Sequence, residues 1–291
     1  MITAEFKQKV LEAIADRKPN YASDAKMSVA LGISAAQFSR IQKGELDKVL
    51  ADAQWISIAR FLDVNFGNRV HWVTAETETF KAVSYQLRAC QDKSISLLLC
   101  DQAGIGKTYT ARDYVKKSPN AVYIDCSQVK SKQQLVRQIA KEFGVAHTKR
   151  YADVYNDLVF YLKTLLNPLV ILDEAGDLAY PAFLELKALW NATEYVCGWY
   201  MMGADGLKAK IESQLRCQKV GYAEMFRRYG EKFQRITPQG KEERTSFMKH
   251  EMSLVAKANG LGDIQKLFAK TEGSLTRVYI EAQKQSNTSA A

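Results

Sequence analysis

The chain has 291 residues, 47% hydrophobic and 25% charged, an ordinary soluble globular composition with room for two or three compact units. Apolar runs such as 97–100 and 169–172 are far too short to cross a bilayer, so no membrane association is expected. The first residues lack the charged start and apolar stretch of a signal peptide, and a cytoplasmic location is expected.

The formal net charge is +9, and residues 206–285 alone carry sixteen basic and nine acidic side chains. A basic excess there attracts polyanions, nucleic acid first among them. Cys90, Cys100, Cys126, Cys197 and Cys217 show no C-x-x-C spacing and read as buried reduced thiols. His71, His147 and His250 are too scattered to suggest a metal site.

Residues 1–62 read as short helices. Phe6, Val10, Leu11 and Ile14 fall at helical spacing, and Pro19-Asn20 breaks that helix. Ser23-Asp24 caps the next, Gly32 makes a turn, and Ser34 caps a further helix that Gly44 ends. A last helix holds Trp55, Ile58, Ala59 and Leu62. Residues 63–75 have no strong period and read as a linker. Buried strands follow at 94–100, 121–126, 169–173, 198–203 and 233–237, separated by helix-length segments, as a parallel sheet covered on both faces requires. Beyond Pro238 the pattern is helical to about residue 285, and the small polar residues 286–291 read as a disordered tail. The expected units are 1–64, 65–238, 239–285 and the tail 286–291.

Directly after the first strand stands Asp101-Gln-Ala-Gly-Ile-Gly-Lys-Thr108. A phosphate-cradling loop needs free backbone N–H groups and glycine where a side chain would collide, and Gly104 and Gly106 supply that. Lys107 can reach terminal phosphates, Thr108 can hold Mg²⁺, and a helix N-terminus behind them adds its positive dipole end. The loop contacts expected for ATP therefore run through Gln102, Ala103, Gly104, Ile105, Gly106, Lys107, Thr108 and Tyr109. One position departs from G-x-x-x-x-G-K-[ST]: the first glycine is Asp101. Farther on, Leu169-Val-Ile-Leu-Asp-Glu174 is an apolar strand ending in two carboxylates. Asp173 is placed for Mg²⁺ and Glu174 for activating the attacking water.

On these motifs the chain resembles the AAA+ superfamily, from about Thr74 to Gln285. The resemblance implies an α/β fold, a P-loop AAA+ parallel sheet with a helical lid, here preceded by a small all-α helix-turn-helix domain. It implies an ATPase that turns ATP into ADP and phosphate with Mg²⁺. It also implies a polar sensor at Asp205, an arginine finger at Arg227 or Arg228 acting on a neighbouring subunit's nucleotide, and a lid sensor at Arg277 within Gly273-Ser-Leu-Thr-Arg277.

Residues 27–44 look like a repressor-type helix-turn-helix. Phe38 and Ile41 would hold the second helix to the core, leaving Ser34, Gln37, Ser39, Arg40 and Lys43 to face a groove or phosphates. A small helical domain used for protein contact is the alternative. Within the ATPase, Lys130, Lys132, Lys149 and Arg150 could track a phosphate backbone in the channel that such assemblies enclose. The combination resembles the transposition target-selection ATPases of the phage Mu B, TnsC and IstB kind. Those resemblances imply a homo-oligomer, ring or helical filament, on double-stranded DNA, with a transposase as partner. A helicase loader, a replication initiator or an ATP-switched DNA-binding regulator are the rival readings.

Overall fold

A computed structural model describes residues 2–64 and 72–289. Four helices open the chain: α1 (Ala4–Arg17), α2 (Asp24–Leu31), α3 (Ala35–Gln42) and α4 (Asp52–Phe61). Each of the first three begins where a hydroxyl side chain accepts a hydrogen bond from a backbone N–H that the helix leaves unpaired: Thr3, Ser23 and Ser34. Gly32 ends α2 in the left-handed region at φ 73°, which lets the chain turn sharply into α3. Val10, Ile14, Met27, Phe38, Ile41, Trp55 and Ile58 meet in one apolar cluster beneath these helices.

The larger part continues α5 (Glu78–Lys93), β1 (Ser96–Cys100), α6 (Lys107–Lys117), β2 (Ala121–Asp125), α7 (Lys132–Glu142), α8 (Tyr151–Thr164), β3 (Leu169–Asp173), α9 (Tyr180–Ala192), β4 (Gly198–Gly203), α10 (Asp205–Arg216), α11 (Tyr222–Arg228) and β5 (Phe233–Gln234). The five strands form one parallel sheet in the order β2-β3-β4-β1-β5. Leu169–Asp173 and Gly198–Gly203 are buried at every position, as strands covered by helices on both faces must be. The C-terminal ends of β1, β3 and β4 stand side by side, and there the chain leaves the sheet through residues 101, 174 and 204.

Three helices complete the described chain: α12 (Lys241–Ala258), α13 (Ile264–Thr271) and α14 (Leu275–Ser289). They fold back over the segment 72–77, which has no regular secondary structure. Asn259 exchanges two hydrogen bonds with the Val73 main chain, and Trp72 meets Tyr279 edge to face. Glu251, 1% exposed, accepts from the backbone N–H groups of Glu78 and Thr79 at 2.8 and 2.9 Å. That carboxylate caps α5 from another element and offsets the cost of its own burial.

The helical start also touches the sheet domain. Asn20 donates to the carbonyls of Val115 and Lys116, at 2.6 and 3.2 Å, where the last turn of α6 leaves them without helical partners. Arg17 lies 3.8 Å from Glu142, and the Lys26 ammonium stands 3.7 Å from the centre of the Tyr161 ring. Gly144, at φ 67°, packs against the Lys26 carbonyl.

Some boundaries differ from expectation: β1 begins at Ser96 and β2 ends at Asp125. The final helix continues to Ser289, through residues expected to be tail, while Ala290 and Ala291 lie outside the described residues. The fifth strand pairs only at Phe233 and Gln234, and the amides of Ile236 and Thr237 bond to Asp101. Most of the expected linker, 65–71, lies outside the described residues. Among those described, no helix is long and apolar enough to cross a membrane.

Candidate nucleotide site

The loop from β1 to α6 carries Gly104 at φ 79° and Gly106 at φ 99°, both in the left-handed region that an L side chain disfavours. Gly106 is also the residue before α6, so the first N–H groups of that helix face the loop's concavity. Lys107 is 7% exposed, and its ammonium donates to the carbonyls of Asp101 and Gln102, both at 2.7 Å. Burial lowers its pKa, opposed by the charges of Asp101, Asp173, Glu174 and Asp205. A cation held by its own loop's carbonyls is one that an anion can take over. Ile105 is buried beneath the loop, and Tyr109 shares a 2.6 Å hydrogen bond with Thr74.

Thr108 donates to Asp173 at 2.6 Å, and Tyr123 donates to the same carboxylate oxygen at 2.8 Å. Arg112 lies on the helical face of Thr108, four residues on, and its guanidinium sits 5.0 Å from the Tyr123 ring centre. Tyr123 and Arg112 are site residues that the sequence patterns do not single out. The available signal was a tyrosine in an otherwise aliphatic strand whose partner in register ends on the acid, Asp125 lying opposite Asp173. Glu174 is exposed and takes left-handed backbone at φ 48°. Its N–H donates to Asp173 at 2.9 Å, and partial loss of water around the carboxyl, together with the Asp173 charge, raises its pKa.

This donor set fits Mg²⁺ with a polyphosphate. Thr108 and Asp173 bring two hard oxygens together, and Mg²⁺ characteristically takes few protein oxygens and completes its shell with phosphate and water. Among the described residues no cluster of three or more His, Cys, Asp or Glu forms a separate metal site.

The remaining candidates divide. Asp205 is the exposed first residue of α10, close enough to Lys107 to act on its charge. Arg277 lies in the first turn of α14 and pairs with Glu272 at 3.2 Å, while the N–H of Leu275 in that turn reaches the Gly104 carbonyl at 2.8 Å. Arg227 is exposed; Arg228 lies half-buried with its guanidinium 4.5 Å from the Trp190 ring centre. Lys130, Lys132, Lys149 and Arg150 are all exposed. Arg137 binds the carbonyls of His147 and Lys149, drawing that loop back along α7, and Lys132 lies over the Tyr151 ring. Lys149 also pairs with Asp157.

On α3, Ser39 and Lys43 are exposed and Arg40 pairs with Glu45 at 2.7 Å. Gln37 is half-buried: its carbonyl oxygen accepts from the N–H of Ser34 and one amide N–H donates to the Val49 carbonyl, which fixes the side chain within the helical unit and leaves it one N–H and one lone pair.

Residues 91–211, from the end of α5 into α10, match the family model for the AAA domain. The chain is 22% identical over 195 residues to the Mu-like prophage FluMu DNA transposition protein B of Haemophilus influenzae, an alignment that spans 65% of this chain and 67% of that protein.

Proposed function

For a chain that carries an AAA domain, a nucleotide-hydrolysing ATPase module, and that resembles a prophage transposition protein B, we propose an ATP-dependent DNA-binding ATPase that assembles on duplex DNA and delivers it as target to a transposase. The observation that carries the nucleotide half is the meeting of Thr108 and Asp173 beside Lys107 and Glu174. ATP lies along Gln102–Tyr109 with Lys107 on its terminal phosphates. Thr108 and Asp173 would hold Mg²⁺, which would supply positive charge against those phosphates. Glu174 accepts the proton of the attacking water. Asp205 and Arg277 face the same phosphates from α10 and from the lid.

Arg227 acts as the finger across a subunit interface, in a ring or a helical filament. Its exposure and the stacking of Arg228 on Trp190 favour that choice between the two. Lys130, Lys132, Lys149 and Arg150 line the DNA-facing surface, with Ser39, Arg40 and Lys43 on α3 adding contacts. Stacked subunits repeat a few phosphate contacts along the duplex, which explains why nucleotide-driven assembly would be needed for binding.

The test is binding to random and defined duplexes across a salt series, with and without ATP. Binding should require ATP, show little sequence preference and fall steeply with salt. Lys130→Ala with Lys132→Ala should flatten the slope of log affinity against log salt by ~1.8, about 0.9 for each phosphate that is no longer neutralised. Selection of one operator without ATP would instead identify a site-specific regulator.

A further inference from the structure

Asp101 stands where a phosphate loop ordinarily has glycine, and it is fully buried. Its carboxylate accepts four hydrogen bonds: from the N–H groups of Gln102 (2.8 Å), Ile236 (2.7 Å) and Thr237 (2.8 Å), and from the Thr237 hydroxyl. Arg235 lies 3.8 Å away. A buried carboxylate is tolerable only with donors of this number, and here three of the four come from the residues that follow β5. In the β1–β5 register Ile236 falls opposite Asp101, one residue beyond the end of β1, so the carboxylate takes these donors where the ladder stops, and the chain turns out through Thr237 toward α12, the first lid helix.

The same residue faces the nucleotide loop through its main chain, since the Asp101 carbonyl accepts from Lys107 at 2.7 Å. Asp101 therefore grips with one end the cation that must move to a phosphate, and with the other the root of the lid. The lid already touches the loop at two further points: Gln102 donates to the Met248 sulfur, and the N–H of Leu275 reaches the Gly104 carbonyl.

We propose that Asp101 is a positioning residue that transmits occupancy of the phosphate loop to the lid, a role that rests on the nucleotide reading above. When a polyphosphate draws Lys107 away, the carbonyls of Asp101 and Gln102 lose their common donor and the loop's main chain resets. The Asp101 carboxylate carries that shift to Ile236 and Thr237, and so to the start of α12. A glycine at this position would leave loop and lid root unconnected.

The experiment compares wild type with Asp101→Asn and Thr237→Val by fluorescent-ATP titration, steady-state ATPase kinetics and hydrogen exchange over 233–245 with and without ATP. The carboxamide keeps an acceptor for the backbone N–H groups but brings two donors among donors; valine removes only the hydroxyl. In wild type, ATP should change exchange at Ile236, Thr237 and the first turn of α12. In Asp101→Asn that change should vanish while ATP affinity stays within about threefold, and kcat should fall about tenfold with KM nearly constant, the mark of an interaction felt after binding. Thr237→Val should fall in the same direction by a smaller factor, and it carries the test if Asp101→Asn melts early. Wild-type kcat and a wild-type exchange response in the folded variants overturn the role. So does a wild-type lid root that ignores bound ATP. A wild-type protein that binds no ATP overturns the nucleotide reading and this role with it.

Discussion

Thr108 and Asp173 are 65 positions apart in the chain and 2.6 Å apart in the structure. One opens a helix and the other ends a strand, and Tyr123 on the neighbouring strand fixes the shared carboxylate oxygen from the far side. Sheet register thus sets Tyr123 beside Asp173, and the loop 101–106 brings Thr108 to the same carboxylate.

Lys107→Ala should weaken ATP binding. A buried, charge-assisted hydrogen bond is worth about 1.5–3 kcal/mol, so affinity should drop by roughly one to two orders of magnitude. Fluorescent-ATP titration reads this directly, and wild-type affinity in the variant would refute the phosphate-loop assignment.

Glu174→Gln should bind ATP and hydrolyse it slowly, by about 10²–10⁴ in kcat, because the amide keeps the shape and loses the base. Partial loss of water around the carboxyl and the Asp173 charge raise the pKa of Glu174. The carboxylate is the active form, so kcat/KM, which reports the nucleotide-free enzyme, should climb with pH through that raised pKa. A pH–rate profile in the variant should lose that climb.

Arg227 and Arg228 should separate cleanly. Arg228→Ala loses its stacking on Trp190, and should lower the melting midpoint whether or not subunits assemble. Arg227→Ala should leave melting unchanged and slow hydrolysis only in the DNA-bound assembly, by ~10³ or more if it acts as a finger. Equal loss of activity in dilute monomer would exclude action in trans.

Glu142 predicts a pH dependence of stability. Burial, only partly offset by Arg17, lifts its carboxyl to about 7. Between an unfolded pKa near 4.5 and that value the folded state holds a proton that the unfolded state has released, so stability should decline as pH rises across this window, by up to about 3 kcal/mol. Urea unfolding at pH 5 and pH 8 should show the decline in wild type and a smaller one in Glu142→Gln. The same slope in both would clear Glu142 of the effect.

Much of the site was legible because its chemistry sits in short contiguous stretches. Gly104, Gly106, Lys107 and Thr108 announce themselves by spacing, and the run ending in Asp173 and Glu174 by a switch from apolar to acidic. The helices of the first 64 residues were legible for similar reasons, with Ser23, Gly32 and Ser34 marking ends that the structure places there. What could not be read were partnerships across distance. Tyr123 looks like any strand tyrosine until β2 lies beside β3. Asp101 looks like damage to a motif until Ile236 and Thr237 arrive from 135 and 136 positions away. Gln37 gives no sign in the sequence that its amide is also tied to its own helix cap and to Val49.

Asn20 and Gly144 impose a limit on fragments of this protein. A chain cut after residue 64 would lose the amide that satisfies Val115 and Lys116, at the opposite end of α6 from the phosphate loop. It would also strip Arg17 from Glu142 and uncover the seat at Gly144, where no residue with a side chain fits beside the Lys26 carbonyl. Poor ATP or DNA binding by such a fragment would therefore report a loosened ATPase, and could not be credited to lost DNA contacts of α3. Substitutions at Ser39 and Lys43, exposed and remote from that seam, are the instruments that separate the two.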